Sequence, residues 1–336
     1  MNRTLVLLFL LLGANVHAQE NHGLVKWISL SQALERNDSI PRPILIDFYT
    51  DWCGWCKTMI QTTYSNPDLA NYINSYYYPV QFDAEGKDTI EYLGKTYVPS
   101  GAGPRLTHPL AQKLLNGNLM YPTTLFLNNF DKNKNDFSLN LIAPGYMEVK
   151  KIQPLLVYTV EGVFRNCNPN IFQEDFENAF YDTTNFSGSK ELNWKSPKES
   201  LTQPTKNKKT LVFFTADWCN SCTVMKKAVF TDSLVVSSLN SNFNLVEFNP
   251  LSEDTIVFQG KIFANKQYDN EVIHPLALGM MKNNFVVPGI TILDENNQLI
   301  DNIPYYLPSE LLSKILKYYG ADIYKTSSWK EYQSGK

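Results

Sequence analysis

The chain has no excess of positive charge. Its 336 residues carry 30 Lys and Arg against 33 Asp and Glu, which gives a formal net charge of −3. A protein that binds nucleic acid needs a basic surface to neutralise phosphates and release their counterions. The charge balance therefore argues against a nucleic-acid partner, while the hydrophobic content of 43% is typical of a globular protein with buried cores.

Long apolar runs are also scarce. Beyond the N-terminus, no run approaches the ~18 apolar residues that indicate a transmembrane helix. At the N-terminus, the apolar residues 4–13 follow Arg3 and precede Val16-His17-Ala18, which fits a small-residue cleavage site. We therefore expect a signal peptide over residues 1–18, export to the periplasm or the extracellular space, and no stable membrane insertion after cleavage. An uncleaved anchor is the alternative, and the lack of a nearby cysteine excludes a bacterial lipoprotein anchor.

Cysteine and histidine are few, with five and four residues. Cys53/Cys56 and Cys219/Cys222 form two CxxC pairs, and Cys167 stands alone. No third cysteine or pair of histidines flanks either CxxC, which argues against zinc, and the scarcity of nearby Met and His argues against copper(I). We predict no metal and no cofactor. In an exported protein we expect the pairs as disulfides and Cys167 as an inert thiol, with pairing between chains as the alternative.

The first CxxC lies at a predicted strand-to-helix junction. The apolar run at residues 44–49 predicts a buried strand, and Cys56, Met59 and Ile60 have helical spacing. Cys53 then lies near a helix N-terminus, where unpaired N–H groups and the macrodipole stabilise an anion and lower the thiol pKa. Cys56 is close enough to close a small disulfide ring. This arrangement favours a redox site over a structural disulfide or half of a zinc site.

The same stretch occurs twice. Cys219 and Cys222 follow Cys53 and Cys56 at a constant offset of 166 residues (219 − 53 and 222 − 56). The offset also relates Gly94-Lys95 to Gly260-Lys261, His108-Pro109-Leu110-Ala111 to His274-Pro275-Leu276-Ala277, and Pro122 to Pro288. Matches in constant register indicate a duplicated domain. We predict a signal peptide, a first domain, a tail with linker, a second domain and a C-terminal tail, over residues 1–18, 19–160, 161–200, 201–325 and 326–336.

Both repeats have the same predicted order of elements after the CxxC helix. In the first repeat we predict helices over residues 67–75, 107–115 and 147–158, strands over 78–82, 122–127 and 138–142, and a polar turn over 128–136. A short helix is predicted between the repeats, over residues 171–180.

Residues 47–57, Asp-Phe-Tyr-Thr-Asp-Trp-Cys-Gly-Trp-Cys-Lys, resemble the active-site region of thioredoxin. The Asp-Trp-Cys-x-x-Cys form followed by Thr63-Tyr64-Ser65-Asn66-Pro67 is similar to exported thioredoxin-like domains, among them the C-terminal domain of the membrane reductant conductor of the bacterial cell envelope. The two copies cover nearly all of the mature chain. The resemblance implies an α/β fold class: two tandem thioredoxin-like folds, each with a central mixed sheet flanked by helices and an insertion before the cis-proline strand.

The resemblance also implies roles for cysteines and prolines. Cys53 and Cys219 would be the attacking, solvent-facing thiols, and Cys56 and Cys222 would resolve the mixed disulfide. Two X-Pro bonds would be cis, and their residues would hold the substrate backbone as an added strand: Tyr121-Pro122 and Val287-Pro288.

The remaining candidate residues are an acid, two tryptophans and two histidines. Asp47 matches the family's buried acid, which would accept the proton of the resolving thiol; an exposed acid at the strand end is the alternative. Trp52 and Trp218 are predicted at the active-site surface, against the substrate. His108 and His274 each precede a proline, which favours capping or packing over acid/base chemistry.

The second repeat departs from the first in ways that predict a different potential and rate. The replacements are Phe213 for Asp47, Asn220-Ser221 for Gly54-Trp55, and Thr223 for Lys57. In both repeats, 66 residues separate the second cysteine from the proline (122 − 56 and 288 − 222), more than in plain thioredoxin. We expect the additional residues to form an insertion that overhangs the site and selects partners.

Taken together, the residues and the resemblance predict an exported thiol–disulfide oxidoreductase. Asp47 and the Gly54-Trp55 pair favour a reductase. Its partners would be protein thiols and disulfides, together with a redox partner protein. The alternative is a thioredoxin-fold peptide-binding or chaperone-like module in which the disulfides are structural.

Overall fold

The computed structural model describes residues 23–100, 105–182, 192–202, 207–265 and 273–335. The predicted signal peptide lies outside these residues. Within them, no helix is both long enough and apolar enough to cross a bilayer.

The first repeat folds around a mixed sheet. In chain order its elements are α1 (Leu30–Ser39), β1 (Ile44–Tyr49), α2 (Gly54–Thr62), α3 (Pro67–Tyr76), β2 (Tyr78–Asp83), β3 (Ile90–Tyr92), β4 (Lys95–Tyr97), α4 (Pro109–Leu114), β5 (Thr123–Asp131), β6 (Asp136–Pro144) and α5 (Val149–Val160). The sheet order is β2-β1-β5-β6, with β1 and β2 parallel and the β1–β5 and β5–β6 pairs antiparallel. Strands β3 and β4 form a separate hairpin.

Strand β1 is buried on both faces of this sheet. Ile46 and Phe48 belong to one apolar cluster and Leu45 to another, because successive side chains of a strand point to opposite faces. Side chains of α1 and α4 join the first cluster, and side chains of α2, α3 and α5 join the second. The sheet is therefore covered by helices on both faces, which confirms the predicted fold class.

The loop between β5 and β6 is shorter than the polar composition predicted. A turn was expected over residues 128–136, but β5 continues to Asp131 and β6 begins at Asp136. Phe130 pairs with Phe137 across the two strands, with ring centroids 5.2 Å apart. This aromatic contact extends the hairpin through polar flanking residues, so the prediction of a turn over the whole stretch is wrong.

The insertion between β2 and β5 contains the β3–β4 hairpin and α4. His108 caps α4: its Nδ1 accepts a hydrogen bond from Leu110 N, and its Nε2 lies 2.9 Å from the carbonyl oxygen of Asp88. His274 caps the equivalent helix of the second repeat in the same way. Both histidines are structural caps, as predicted.

Helix α6 (Pro169–Phe180) follows the first repeat, and the second repeat then reproduces the topology of the first. Its elements are α7 (Pro197–Ser200), β7 (Lys209–Phe214), α8 (Asn220–Val224), α9 (Ser233–Asn242), β8 (Phe243–Phe248), β9 (Thr255–Phe258), β10 (Lys261–Ala264), α10 (Pro275–Met280), β11 (Gly289–Leu293), β12 (Leu299–Pro304), α11 (Ser309–Gly320) and α12 (Trp329–Ser334). Helix α8 continues into a π-helical turn, Met225–Val229. The sheet order β12-β11-β7-β8 has the same strand directions as the first sheet.

The segment that joins the repeats packs into the second one. After a 3₁₀ turn at Val163–Arg165, α6 buries Phe172 and Phe176 in the apolar cluster that contains the core strands of the second repeat. The ring of Phe172 lies 5.0 Å from that of Tyr306. Residues that the sequence assigned to a tail and linker therefore belong to the core of the second repeat.

Candidate active sites

Each CxxC begins a helix. Cys53 is the N-cap of α2, and its Sγ accepts a hydrogen bond of 3.1 Å from Cys56 N. Cys219 is the N-cap of α8, and its Sγ accepts from Cys222 N at the same distance. Both pairs are disulfides. We call Cys53–Cys56 the first site and Cys219–Cys222 the second site.

The two cysteines that the resemblance predicts to attack are less exposed than it implied. Cys53 is 4% exposed and Cys219 is 0% exposed. As N-cap residues they direct Sγ over the first helical turn, where the N–H of the second cysteine meets it. The expectation that these two residues face solvent is therefore not met in the disulfide form.

Aromatic side chains surround the first site. Trp52 is 53% exposed, its Nε1 donates to Glu85 Oε2 at 3.0 Å, and the Arg105 guanidinium lies 5.1 Å from its ring centroid. The ring of Tyr121 lies 6.4 Å from that of Trp52, and Trp55 is exposed between the cysteines. Glu85 and Arg105 belong to the insertion, which therefore contacts the rim of the site.

The two predicted cis-prolines lie beside the cysteine pairs. The Tyr121–Pro122 and Val287–Pro288 peptide bonds are both cis. Each proline directly precedes a strand that pairs antiparallel with the strand before the CxxC, β5 with β1 and β11 with β7. The start of β5 therefore lies beside the end of β1, and the start of β11 beside the end of β7. This brings the proline and the cysteines of each repeat to the same end of the sheet.

Asp47 is buried in β1, as the resemblance implied. Burial raises the pKa of its carboxyl to about 7, and a hydrogen bond with Tyr64 opposes the rise. Its Oδ1 has no hydrogen-bond partner among the described residues. A carboxyl with this pKa exchanges a proton near neutral pH, which is the property that a proton acceptor needs.

Tyr64 and Thr124 complete a buried polar group that the sequence analysis missed. Tyr64 Oη lies 3.2 Å from Thr124 Oγ1, and Thr124 is the register partner of Asp47 across β1 and β5. The offset of 166 residues maps these two positions onto Phe230 and Ile290. Extending the repeat comparison to every position would therefore have drawn attention to them.

The second site is apolar at the three matching positions. Phe213 lies opposite Ile290 across β7 and β11, and its ring is 4.9 Å from that of Phe230. The polar group of the first repeat is thus replaced as a unit by apolar side chains. The second site has no buried carboxyl at the position of Asp47.

A carboxylate from the turn that follows α5 reaches the second site instead. Glu161, which follows α5, accepts hydrogen bonds from Asn220 N at 3.1 Å, from Ser221 N at 2.7 Å and from the Ser221 hydroxyl. Its Oε2 lies 3.7 Å from Cys219 Sγ. Burial raises the pKa of the Glu161 carboxyl, and the hydrogen bonds oppose that rise. Sequence reasoning missed Glu161 because only the packing of the repeats brings it to the second site.

The first repeat also covers the substrate side of the second site. Trp218 is half-exposed and lines a cavity of about 290 Å³ together with Val287, Glu161, Arg165 and Tyr305. Val287 itself is only 6% exposed. The structure therefore brings the predicted residues Trp218 and Val287 together, but Glu161 and Arg165, from the segment after α5, line the same cavity.

Cys167 is buried and unpaired. Burial raises the pKa of its thiol to about 12, which keeps the thiol protonated at neutral pH.

Among the described residues, no three His, Cys, Asp or Glu side chains are grouped so that they could hold a metal ion.

The sheet order, the CxxC at the start of the helix after a central strand, and the cis-proline before the neighbouring strand define the thioredoxin-fold class. Family models agree for both repeats. Residues 198–320 match a family described as a thioredoxin-like domain, and residues 15–141 match Thioredox_DsbH, described as a protein of unknown function, DUF255. Thioredoxin-like domains are therefore present in two regions of the chain, and the first region is similar to the DsbH family model.

Solved structures of thioredoxin-fold proteins are also similar to the chain. A thioredoxin-fold protein from Helicobacter pylori is 18% identical, with 46% of this chain and 92% of that one covered and a TM-score of 0.33. The C-terminal domain of DsbD from Neisseria meningitidis in its reduced form is 18% identical, with coverages of 39% and 93% and a TM-score of 0.25. A DsbH oxidoreductase is 17% identical, with coverages of 38% and 81% and a TM-score of 0.23. No curated protein matches the chain significantly.

Proposed function

We propose that the protein is an exported thiol–disulfide oxidoreductase that reduces disulfides of protein substrates at Cys53–Cys56. One observation carries this proposal: the first site combines a cysteine at a helix N-terminus with a buried carboxyl, Asp47, whose pKa is about 7. The helix N-terminus favours a thiolate on Cys53. The carboxyl is suited to take the proton of the second thiol.

The reaction starts from the dithiol form of the first site. The Cys53 thiolate attacks one sulfur of a substrate disulfide; a mixed disulfide forms and one substrate sulfur leaves as a thiolate. Cys56 then attacks Cys53 Sγ, which forms the Cys53–Cys56 disulfide and releases the second substrate thiolate. The substrate gains two electrons and two protons, and a dithiol partner protein returns the first site to its reduced form.

Asp47 has its role in the second step of this reaction. A thiol is a poor nucleophile, so Cys56 must lose its proton before it attacks. A carboxylate with a pKa of about 7 accepts that proton more readily than one with the ordinary value of 3.8. Tyr64 supplies the hydrogen bond that keeps the ionised form accessible.

Trp52, Tyr121 and Pro122 form the proposed substrate-binding surface of the first site. Trp52 offers an exposed aromatic ring beside the cysteine pair, held by Glu85 and Arg105. The backbone of Tyr121, directly before β5, would pair with an extended substrate segment.

The compartment of this reaction is proposed from the predicted signal peptide. Residues 1–18 would direct the chain to the periplasm or the extracellular space. Disulfides form and persist in such compartments, so a reductase there depends on a redox partner protein for electrons.

The reduction potential of each site tests the proposal. It is measured in glutathione or dithiothreitol buffers on two variants, Cys53→Ser/Cys56→Ser and Cys219→Ser/Cys222→Ser. We expect the first site near the thioredoxin value of about −270 mV, and insulin reduction that is lost only in the Cys53→Ser/Cys56→Ser variant. A first-site potential near about −120 mV, the value of a strong oxidant, would contradict a reductase.

A second candidate function is peptide binding with structural disulfides. It is favoured by apolar side chains that the insertion and its flanks leave exposed: Val98, Leu106, Leu119 and Met120. A thiol probe after mild reduction distinguishes the two functions. If neither cysteine pair reacts, peptide binding replaces disulfide exchange as the explanation.

A further inference from the structure

The position of Glu161 is fixed by the turn that follows α5. Its backbone N–H donates to Val157 O at 2.9 Å, which closes the last turn of the helix. Gly162 then adopts φ +68°, and a Cβ at that position would lie 2.8 Å from the ring of Tyr305. The chain therefore reverses tightly against the second repeat, and the side chain of Glu161 is directed to the start of α8.

The residues that follow Glu161 anchor the same turn to the second repeat. Val163 is fully buried in the apolar cluster of the second repeat. Asn166 Nδ2 donates to Pro304 O at 3.0 Å, and the Arg165 guanidinium lies 4.8 Å from the ring centroid of Tyr305. The approach of Glu161 to Cys219 is therefore part of a packed interface.

Glu161 accepts hydrogen bonds from the helix-start N–H groups that would otherwise stabilise a thiolate on the first cysteine of the CxxC. Backbone N–H groups at the start of a helix stabilise a thiolate, but at the second site the N–H groups of Asn220 and Ser221 donate to the Glu161 carboxylate. In the described part of the first site, no carboxylate accepts from the corresponding N–H groups of Gly54 and Trp55. The N–H groups at the start of α8 thus donate to a carboxylate, whereas those at the start of α2 do not.

The carboxylate also has no counterpart at the end of the second repeat. Helices α5 and α11 both have twelve residues. The residue that follows α11 is Ala321, in the position that Glu161 takes after α5. A carboxylate therefore follows α5, where the chain contacts Cys219–Cys222, and does not follow α11.

From this geometry we propose that Glu161 suppresses thiol–disulfide exchange at Cys219–Cys222, so that protein substrates react at the first site. The inference deepens the proposed function and rests on it. Exchange at the second site needs a reductant thiolate to attack one sulfur and the other sulfur to leave as a thiolate. A carboxylate 3.7 Å from Cys219 Sγ repels the first anion and disfavours the second.

Two further features of the second site act in the same direction. Phe213, Phe230 and Ile290 provide no proton acceptor for Cys222. The first repeat faces the cavity beside Trp218 and Val287, where a substrate strand would pair. The charge of Glu161, the lack of a proton acceptor at the position of Asp47 and the covered cavity all disfavour exchange at the second site.

The test compares the two disulfides within one molecule. Oxidised full-length protein is treated with dithiothreitol at pH 7, samples are alkylated at intervals, and mass spectrometry follows each cysteine pair separately. We expect Cys53–Cys56 to be reduced at least about tenfold faster than Cys219–Cys222, since one pKa unit alone corresponds to a factor of ten.

Two variants separate the effect of the Glu161 charge from the effect of its side chain in blocking access to Cys219. Glu161→Gln removes the charge and keeps the size, and Glu161→Ala also opens access. Each should accelerate reduction of Cys219–Cys222 about tenfold, and Glu161→Gln should lower the thiol pKa of Cys219, read from the pH dependence of alkylation, by about one unit. Glu174→Gln makes the same charge change at an exposed position on α6 and should change neither rate.

The outcomes are distinct for the two proposals. Equal reduction rates of the two pairs in the wild-type protein, or an unchanged Cys219 pKa in a folded Glu161→Gln variant, would overturn the role of Glu161. An unchanged Cys53–Cys56 rate shows that a variant is folded. If neither pair is reduced by dithiothreitol in any variant, the proposed function fails instead.

Discussion

Asp47 links the stability of the protein to pH, and Asp47→Asn tests that link. The wild-type carboxyl is buried, with a pKa of about 7 instead of the ordinary 3.8. The folded state therefore holds a proton that the unfolded chain releases between these two values. Stability falls as pH rises through this window, and the loss is complete once the folded carboxyl has ionised.

The size of the effect follows from the two pKa values. At about 1.4 kcal/mol per pH unit, ionising the buried carboxyl costs the folded protein roughly 4 kcal/mol at pH 8. At pH 5 the folded carboxyl is still protonated, and the loss of about 1.5 kcal/mol comes from its ionisation in the unfolded chain. Asparagine does not titrate, so the variant should gain about 2.5 kcal/mol relative to the wild-type protein between pH 5 and pH 8.

Urea unfolding of both oxidised proteins at pH 5 and pH 8 measures this gain. The change between the two pH values is the informative quantity, because the buried amide has its own constant cost. Asp51→Asn, at an exposed position before Cys53, is the matched control and should show no such change. A stability difference between Asp47→Asn and wild type that is the same at both pH values would refute a raised pKa for Asp47.

Three further predictions concern the rim of the first site, the junction and the unpaired thiol. Trp52→Ala should slow the reduction of insulin several-fold but leave dithiothreitol reduction of Cys53–Cys56 unchanged, because only a protein substrate needs the aromatic surface; equal slowing of both reactions would speak against substrate contact. Gly162→Ala should destabilise the protein by about 1–3 kcal/mol in urea, because its φ of +68° and the ring of Tyr305 both oppose a Cβ, and an unchanged midpoint would contradict that packing. Cys167 should stay unalkylated by iodoacetamide at pH 7.5 in the native protein, since the pKa of its thiol is about 12; rapid labelling there would show that the thiol is not buried.

Local patterns in the sequence were sufficient for most of the fold. The apolar run before Cys53 becomes β1 over the predicted residues, and Asn66-Pro67 starts α3 as a capping residue followed by proline. These signals depend on neighbouring residues, so they can be read without the tertiary structure. The turn predicted over residues 128–136 failed because the Phe130–Phe137 contact, which forms only once the strands pair, extends the hairpin.

The candidate sites were predictable in part for the same reason. In the first repeat, Asp47 and Cys53–Cys56 lie within one short stretch, and in the second repeat Cys219–Cys222 follow a strand in the same way. Tyr64 and Thr124 lie farther along the chain and are joined to Asp47 by sheet register and helix packing. Glu161 is 58 residues from Cys219 and directly follows the last helix of the first repeat, so its contact depends on how this turn packs against the second repeat.

The two disulfides have the same local geometry, and the proposed difference in their reactivity depends on what surrounds them. Cys53 and Cys219 are both N-caps, and each accepts a hydrogen bond of 3.1 Å from the second cysteine of its pair. What differs is the surroundings of each pair. At the first site, no carboxylate among the described residues accepts a hydrogen bond from the helix-start N–H groups, and Asp47 is buried in the preceding strand, β1. Around the second site, Glu161 takes the helix N–H groups, and apolar rings replace the acid and its partners. Because thiolate stability and proton transfer depend on these surroundings, we propose that the two similar disulfides differ in their capacity for exchange.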